Sequence, residues 1–413
     1  MANIVKIWSE SSLILKIFFG LIIGIILGIF IPQITIIGFL GDLFVNVLRA
    51  IAPILVFVLV SSAISKAKKG TESKFKIVII LYLCSTFLAA LVSVIGSYLF
   101  PVGIHLTTAN NATVPQGFEE ILTNMLTKIF SNPVHALTEG DYLGILFWAV
   151  VLGIALNLVA RKTTKDMLSD FADAITLIVR GIIQFAPIGI MGLVFKSVSQ
   201  NGINIFLEYG QLILLIVACM LFIALIVNST IVGLMLKRNP LPLVFLTLKE
   251  SGITAFFSRS SAANIPINME LCEKLGIERD FYSLSIPLGA TINMQGAAVT
   301  ITLMTLAVCH TLGIQFSLPI TIMLSIISTL AACGSSGVAG GSLLLIPMAC
   351  SLFGIPNEIS MQAISVGFII GVIQDSCETA LDSSGDALFT ATAEYYDRKK
   401  HGKDMNFLGE FKK

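Results

Sequence analysis

The sequence predicts an all-α polytopic membrane protein with eight transmembrane helices and two opposed re-entrant helical hairpins. Three observations carry that expectation. Of 413 residues, 55% are hydrophobic and only 12% charged, whereas a soluble chain averages about 25% charged. In the first half, alternate loops are basic. In the second half, residues 281–357 hold no Asp, Glu, Lys or Arg, yet serine, glycine and asparagine interrupt them repeatedly.

The elements follow in order. Residues 13–31 are long and apolar enough to span. Lys6 and Lys16 accompany this run but no small-residue cleavage site follows it, so it reads as a retained first helix. Residues 43–63 form the second span despite Arg49 and Pro53, and 77–100 the third. Segment 101–140 is polar and reads as exposed. Spans four to six are 142–160, 175–195 (with Arg180 and Pro187) and 211–236. Loop 64–76 carries five lysines, loop 161–165 carries Arg161, Lys162 and Lys165, and Lys237-Arg238 follows span six. The intervening segments 32–42, 101–140 and 196–206 carry almost none. The basic loops and the N-terminus therefore belong in the cytoplasm.

Residues 240–275 make a poor span, with Lys249, Glu250, Arg259 and several serines, and basic residues flank both ends. A segment that leaves and returns to the cytoplasmic side reads as hairpin one, tipped by Ser258-Arg259-Ser260-Ser261. Span seven, 281–309, is interrupted at Thr291, Asn293 and Gln295. Residues 311–357 centre on Cys333-Gly-Ser-Ser-Gly-Val-Ala-Gly-Gly-Ser342, too rich in glycine for a continuous helix. Irregular backbone at bilayer depth must be buried in protein or line a cavity, so this is hairpin two, entering from outside. Span eight, 358–395, then returns the chain to the cytoplasm, where the basic tail 397–413 lies.

Span eight carries the chemistry. Asp375, Glu378, Thr379, Asp382 and Asp386 step by three or four and share one helical face. A carboxylate at bilayer depth costs roughly 2.5–3.5 kcal/mol, so four together cost ~10 kcal/mol unless cations or donors offset them. The pattern predicts a polar site for an amine and metal ions; the competing reading ends the span near Gln374 and leaves the acids in water. Hairpin-tip amides and helix N-termini suit a carboxylate. Asn293 and carbonyls freed at the break suit a hard cation, sodium or a proton rather than a transition metal. Simpler readings exist for each piece: a small-residue packing patch at Gly334–Gly341, a kink at Asn293, a snorkelling Arg259. The seven cysteines show no CxxC pair and read as small core residues, and the four histidines are scattered. A net charge of +1 gives no reason to expect a nucleic-acid partner.

These motifs resemble the dicarboxylate/amino acid:cation symporters, the glutamate-transporter family, and within it the bacterial sodium/serine–threonine branch. The resemblance covers nearly the whole chain. It rests on Arg259-Ser-Ser261, Asn293-Met-Gln-Gly296, Gly334-Ser-Ser-Gly-Val-Ala-Gly-Gly341 and Asp375…Thr379…Asp382…Gly385-Asp386. It implies that residues 1–238 are mainly scaffold and trimerisation spans, with span three moving alongside the transport unit. It makes 239–396 the transport core and 397–413 a cytoplasmic tail. Asp375 would take the substrate amino group, Thr379 and Asp382 would touch the substrate, and Ser260, Ser261 and Val338 would contribute mostly through backbone. Asp382, Asp386 and Asn293 would hold one sodium, Thr291 and the carbonyls near Ser335 another. Tyr82, Ser85 and Thr86 match a further cation site. The implied protein is not an enzyme. It is a homotrimeric elevator carrier of the bacterial inner membrane, with Na+ as co-transported ion and a small neutral amino acid, L-serine or L-threonine, as substrate.

Two departures shape that expectation. Relatives that carry acidic substrates have arginine where this chain has Glu378, and a glutamate there would repel a second carboxylate. A substrate hydroxyl would donate to Glu378 or Asp375, and Arg259 would pair with one of these acids. Gln295 replaces an aspartate of the family, which implies a lower sodium stoichiometry. The alternatives are a sodium- or proton-coupled carrier of dicarboxylates or acidic amino acids, an ion channel, and an intramembrane aspartyl protease.

Overall fold

The computed structural model describes residues 13–66, 73–106, 127, 130–139, 142–202, 205–335 and 340–411. Among the described residues all regular structure is helical. In hydrocarbon that is expected, because a helix pairs its own backbone groups.

Helix α1 (Leu13–Phe30) carries glycine at every fourth position, Gly20, Gly24 and Gly28. The helix lies so close to a later helix that a Cβ at Gly20 would stand 2.2 Å from the Pro187 carbonyl oxygen. Such small-residue stripes let membrane helices touch backbone to backbone. Helix α2 (Thr35–Lys66) starts before the expected span and runs through Pro53. It is followed by α3 (Ser73–Leu99), the short α4 (Pro133–Glu139) and α5 (Tyr142–Val159).

Span five departs from its expected form. The basic segment 161–165 is not a loop: α6 (Lys162–Ile183) begins there, and α7 (Ala186–Asn201) follows at a bend of 54°. Pro187 sits in the first turn of α7, where its missing N–H costs nothing, and its ring could not continue α6.

Span six is α8 (Ile205–Phe222), a wide π-helical turn at Ile223–Val227, and α9 (Asn228–Leu236). The hairpin-one region holds α10 (Leu241–Thr247), a second π turn at Leu248–Gly252, α11 (Ile253–Ser258) and α12 (Ser261–Lys274). Leu241–Ser258 is long and apolar enough to cross a membrane, against expectation, because Arg259 falls just beyond its end. The chain then reverses: Arg259 takes a left-handed φ of 52° and Ser260 is extended. Next come α13 (Arg279–Ile292), α14 (Gln295–Leu312), α15 (Leu318–Ala332), a 3-10 turn at Ser342–Leu345 and α16 (Ile346–Ser351). The last long helix, α17 (Asn357–Lys400), is the axis of this half and packs against α3, α8, α9, α11, α12, α13, α14 and α16.

Among the described residues, by length and apolar character, five helical stretches can cross a membrane: Lys74–Leu99, Tyr209–Leu236, Leu241–Ser258, Arg279–Leu312 and Asn357–Lys400. A sixth joins them if the bent pair α6 and α7 is one span. After α17 the chain folds back. Phe407 packs on Tyr395 at 5.6 Å between ring centroids, and the Arg238 guanidinium lies 5.4 Å from the Phe407 ring.

Candidate functional site

The acids of α17 do not end in water. The helix continues to Lys400, and Asp375, Glu378, Asp382 and Asp386 are 2%, 6%, 3% and 1% exposed. Such groups persist in a dry interior only when donors or cations meet them.

Asp375 stands where the two interrupted segments come together. Arg259 Nε donates to its Oδ2 at 2.5 Å, and the Gly340 N–H donates to its Oδ1 at 3.0 Å. Arg259 is itself buried, with Nη2 on the Gly371 carbonyl at 3.2 Å. It therefore pairs with Asp375 rather than Glu378, and it is no snorkelling surface charge. A cavity of about 20 Å³ borders this pair, walled by Ile17, Ile183 and Ile190 on one side and Leu343 and Phe368 on the other.

Glu378 receives three donors on one oxygen, Oε2: Thr300 Oγ1 at 2.7 Å, Ser342 Oγ at 2.9 Å and Gln374 Nε2 at 2.5 Å. Asp382 accepts the Gly296 N–H at 2.6 Å. That contact needs glycine, since a Cβ at Gly296 would fall 2.7 Å from the backbone of Glu378. Asp386 Oδ1 accepts from Asn293 Nδ2 at 2.9 Å, while its Oδ2 is buried with no hydrogen-bond partner among the described residues.

Asn293 owes its position to the break between α13 and α14. Asn293 and Met294 leave helical geometry, with φ,ψ of −92°,75° and −115°,59°. Besides Asp386, the Asn293 amide donates to the Asp382 carbonyl at 3.1 Å, and Ser85 Oγ donates to Asn293 Oδ1 at 3.3 Å. The Tyr82 hydroxyl lies 2.9 Å from Thr390 Oγ1 and 3.3 Å from the Asp386 carbonyl. Ser85 and Thr86 both donate back to the Tyr82 carbonyl, at 3.0 and 2.8 Å. The third cation cluster expected from the sequence thus adjoins the Asn293–Asp386 pair.

Other expected residues lie further out. Thr291 is exposed, its hydroxyl donating to the Leu288 carbonyl at 2.7 Å. Ser260 caps α12, accepting the Ala263 N–H at 3.2 Å, and Ser261 is buried behind it. Thr379 is buried and donates to the Asp375 carbonyl at 2.8 Å. Ser335 is buried at the end of α15. Val338 lies outside the described residues. Gln295 is spent on a reciprocal amide pair with Asn228, at 3.0 and 3.1 Å, beside the π turn of span six.

Sequence reasoning missed Asn228, Thr300 and Gln374 as members of this centre and quoted Ser342 only as part of a glycine run. It also missed a second polar cluster, where Asn264 and Asn268 of α12 donate to Ser383 Oγ at 2.7 and 3.1 Å. The usable signal was a polar residue in an otherwise apolar stretch, which marks each of them only weakly.

Carboxylates, amides, hydroxyls and freed carbonyls converge here, and one guanidinium opposes four acids among the described residues. Such a set binds hard monovalent cations and amines. Several apolar helices, two of them broken around one buried polar centre, define a membrane transporter of the discontinuous-helix kind. The chain belongs to the sodium:dicarboxylate symporter family, whose model matches residues 13–395. It is a family of transporters, not enzymes, which closes the protease reading. A protein of Streptococcus agalactiae named serine/threonine transporter SstT is 54% identical over 396 residues, 95% of this chain and 98% of that one. Proteins of the same name are 53% identical in Bifidobacterium adolescentis, over 98% of this chain and 94% of theirs, and in Streptococcus thermophilus, over 97% and 100%.

Proposed function

We propose that the chain is a sodium-coupled symporter that imports small neutral amino acids, L-serine and L-threonine foremost. The observation that carries this reading is the buried face of α17. Of the acids Asp375, Glu378, Asp382 and Asp386, only Asp375 meets a basic side chain among the described residues. A substrate ammonium and sodium ions supply the missing positive charge. Glu378 meets hydroxyls and an amide, a setting that favours a hydroxyl donor over a second carboxylate. The names of the relatives point the same way.

In this reading Asp375 takes the α-ammonium, exchanging Arg259 or Gly340 for it. Glu378, Thr379 and Asp382 face the substrate, and Ser260, Ser261 and Val338 hold its carboxylate through backbone N–H groups. One sodium sits at Asp386, Asn293 and Asp382, with the unpartnered Asp386 Oδ2 as its anchor. Thr291 and Ser335 serve a second ion and Tyr82, Ser85 and Thr86 a third, weakened by the neutral Gln295. The full architecture is eight spans and two opposed hairpins in a bacterial inner membrane, both termini cytoplasmic, assembled as a homotrimer. Residues 239–396, with α3, move as the transport unit against the earlier spans.

The test is uptake of labelled L-serine into proteoliposomes under an inward sodium gradient. Sodium-driven uptake, blocked by threonine and not by glutamate, is the expected result. Glu378→Arg should lower serine uptake at least tenfold and admit acidic competitors. Uptake of glutamate or succinate by the unaltered protein would instead make it a dicarboxylate carrier.

A further inference from the structure

We propose that Thr300, Ser342 and Gln374 are positioning residues that aim Glu378 at the substrate hydroxyl and so set the preference for serine over alanine. The proposal rests on the substrate side chain lying at Glu378, as argued above.

Three elements meet one atom. Thr300 comes from α14, Ser342 from the turn before α16, and Gln374 from the preceding turn of α17 itself. All three donate to Oε2, and among the described residues no donor meets Oε1. Gln374 Nε2 also donates to Thr300 Oγ1 at 2.7 Å. The threonine hydroxyl accepts that bond, so its own proton points to Glu378. Proton direction is thereby fixed along Gln374, Thr300 and Glu378.

A carboxylate oxygen has about two lone-pair sites, so three donors saturate Oε2. They pin the carboxyl group by one oxygen and leave the other to the substrate. A serine or threonine hydroxyl satisfies it. Alanine would leave it unpaired in a dry site, and sites built for a hydroxyl reject analogues that lack one.

The test is competition by alanine and serine for sodium-driven serine uptake in proteoliposomes, in Thr300→Val, Ser342→Ala and Gln374→Leu. Each variant should lower the serine-over-alanine ratio of half-inhibiting concentrations by at least fivefold. Thr300→Ser, which keeps the hydroxyl, should keep the ratio. A purely structural defect would weaken both amino acids in parallel and leave the ratio unchanged, which overturns the proposal. An unaltered protein that does not distinguish the two also overturns it. Ser342→Ala removes a single oxygen outside the long helices and carries the test if the others fail to fold. Glu378→Gln separates the two layers. If it leaves the ratio intact, the side-chain placement itself is wrong. If it abolishes the ratio while the three positioning variants do not, only the positioning role fails.

Discussion

At the residue scale the informative atom is Asp386 Oδ2. It is buried and unpartnered among the described residues, while its sister oxygen is held by Asn293. A buried acceptor without a donor costs on the order of 1–3 kcal/mol, more for a charged group. A sodium ion seated against it would recover that cost, which converts burial into ion affinity. Asp386→Asn is therefore expected to raise the sodium concentration for half-maximal serine uptake at least tenfold, measured at saturating serine. An unaltered sodium curve would remove Asp386 from the ion site. The acids of α17 were legible because a helix repeats every 3.6 residues, so spacing alone placed them on one face. Their partners were not. Asn228 and Gln295 are 67 residues apart, and Thr300 and Glu378 are 78 apart. No local period reports which polar residue of one helix will face which residue of another.

At the scale of elements, helix breaks do the positioning, and each has a local cause. Asn293 opens α13–α14, a break that could be read in advance, and glycine-rich sequence separates α15 from the turn at Ser342–Leu345. The π turns before Asn228 and at Ser251 could not, because nothing in Ile223–Val227 or Leu248–Gly252 forbids an ordinary helix. Each widens the helix beside a polar side chain that bonds to a neighbouring element, as π turns at functional positions often do. The start of α3 is tied to the end of α17 by charge. Lys74 pairs with Glu278 and with Glu394, which Arg398 also holds at 2.8 Å. Glu394 is 2% exposed, so Lys74→Met would leave a buried carboxylate with one cation instead of two. The expected loss is about 3 kcal/mol, given 3–5 for breaking a buried pair outright, read as a lower thermal midpoint in detergent. Glu278 precedes the segment Arg279–Leu312, and its hydrogen bond from Lys74 holds its carboxyl below the ordinary 4.5. A depressed folded-state value stabilises above the unfolded value and loses that contribution as pH falls through the folded one. Unaltered protein should therefore lose stability on acidification below about pH 4.5 more steeply than Lys74→Met. Parallel acid profiles would show that the pair contributes nothing.

At the scale of the whole molecule the question is what moves. The helices α1, α6 and α7 face the polar half across the wall of the small cavity, where Ile17, Ile183 and Ile190 meet Phe368 and Asp375. That contact is apolar on one side and, among the described residues, carries no ion pair to Arg259 or Asp375, both of which are satisfied within their own half. An interface of this kind can slide, because displacement exchanges one greasy contact for another and leaves no charge stranded. The ring of Phe44 in α2 lies 5.1 Å from that of Phe368 in α17, centroid to centroid, which marks the junction. If residues 239–396 travel relative to α2, a bridge between these positions must stop transport without removing the binding site. The seven native cysteines would first be replaced. Cysteines at Phe44 and Phe368, joined by mercury(II), should then abolish sodium-driven serine uptake, and thiol should restore it. Serine and sodium should still raise the thermal midpoint of the bridged protein, since a ligand at about 100 times its Kd adds about 2.7 kcal/mol to the folded state. Undiminished uptake by the bridged protein would mean that α17 and α2 keep their contact throughout the cycle. The motion would then have to be confined to the hairpins.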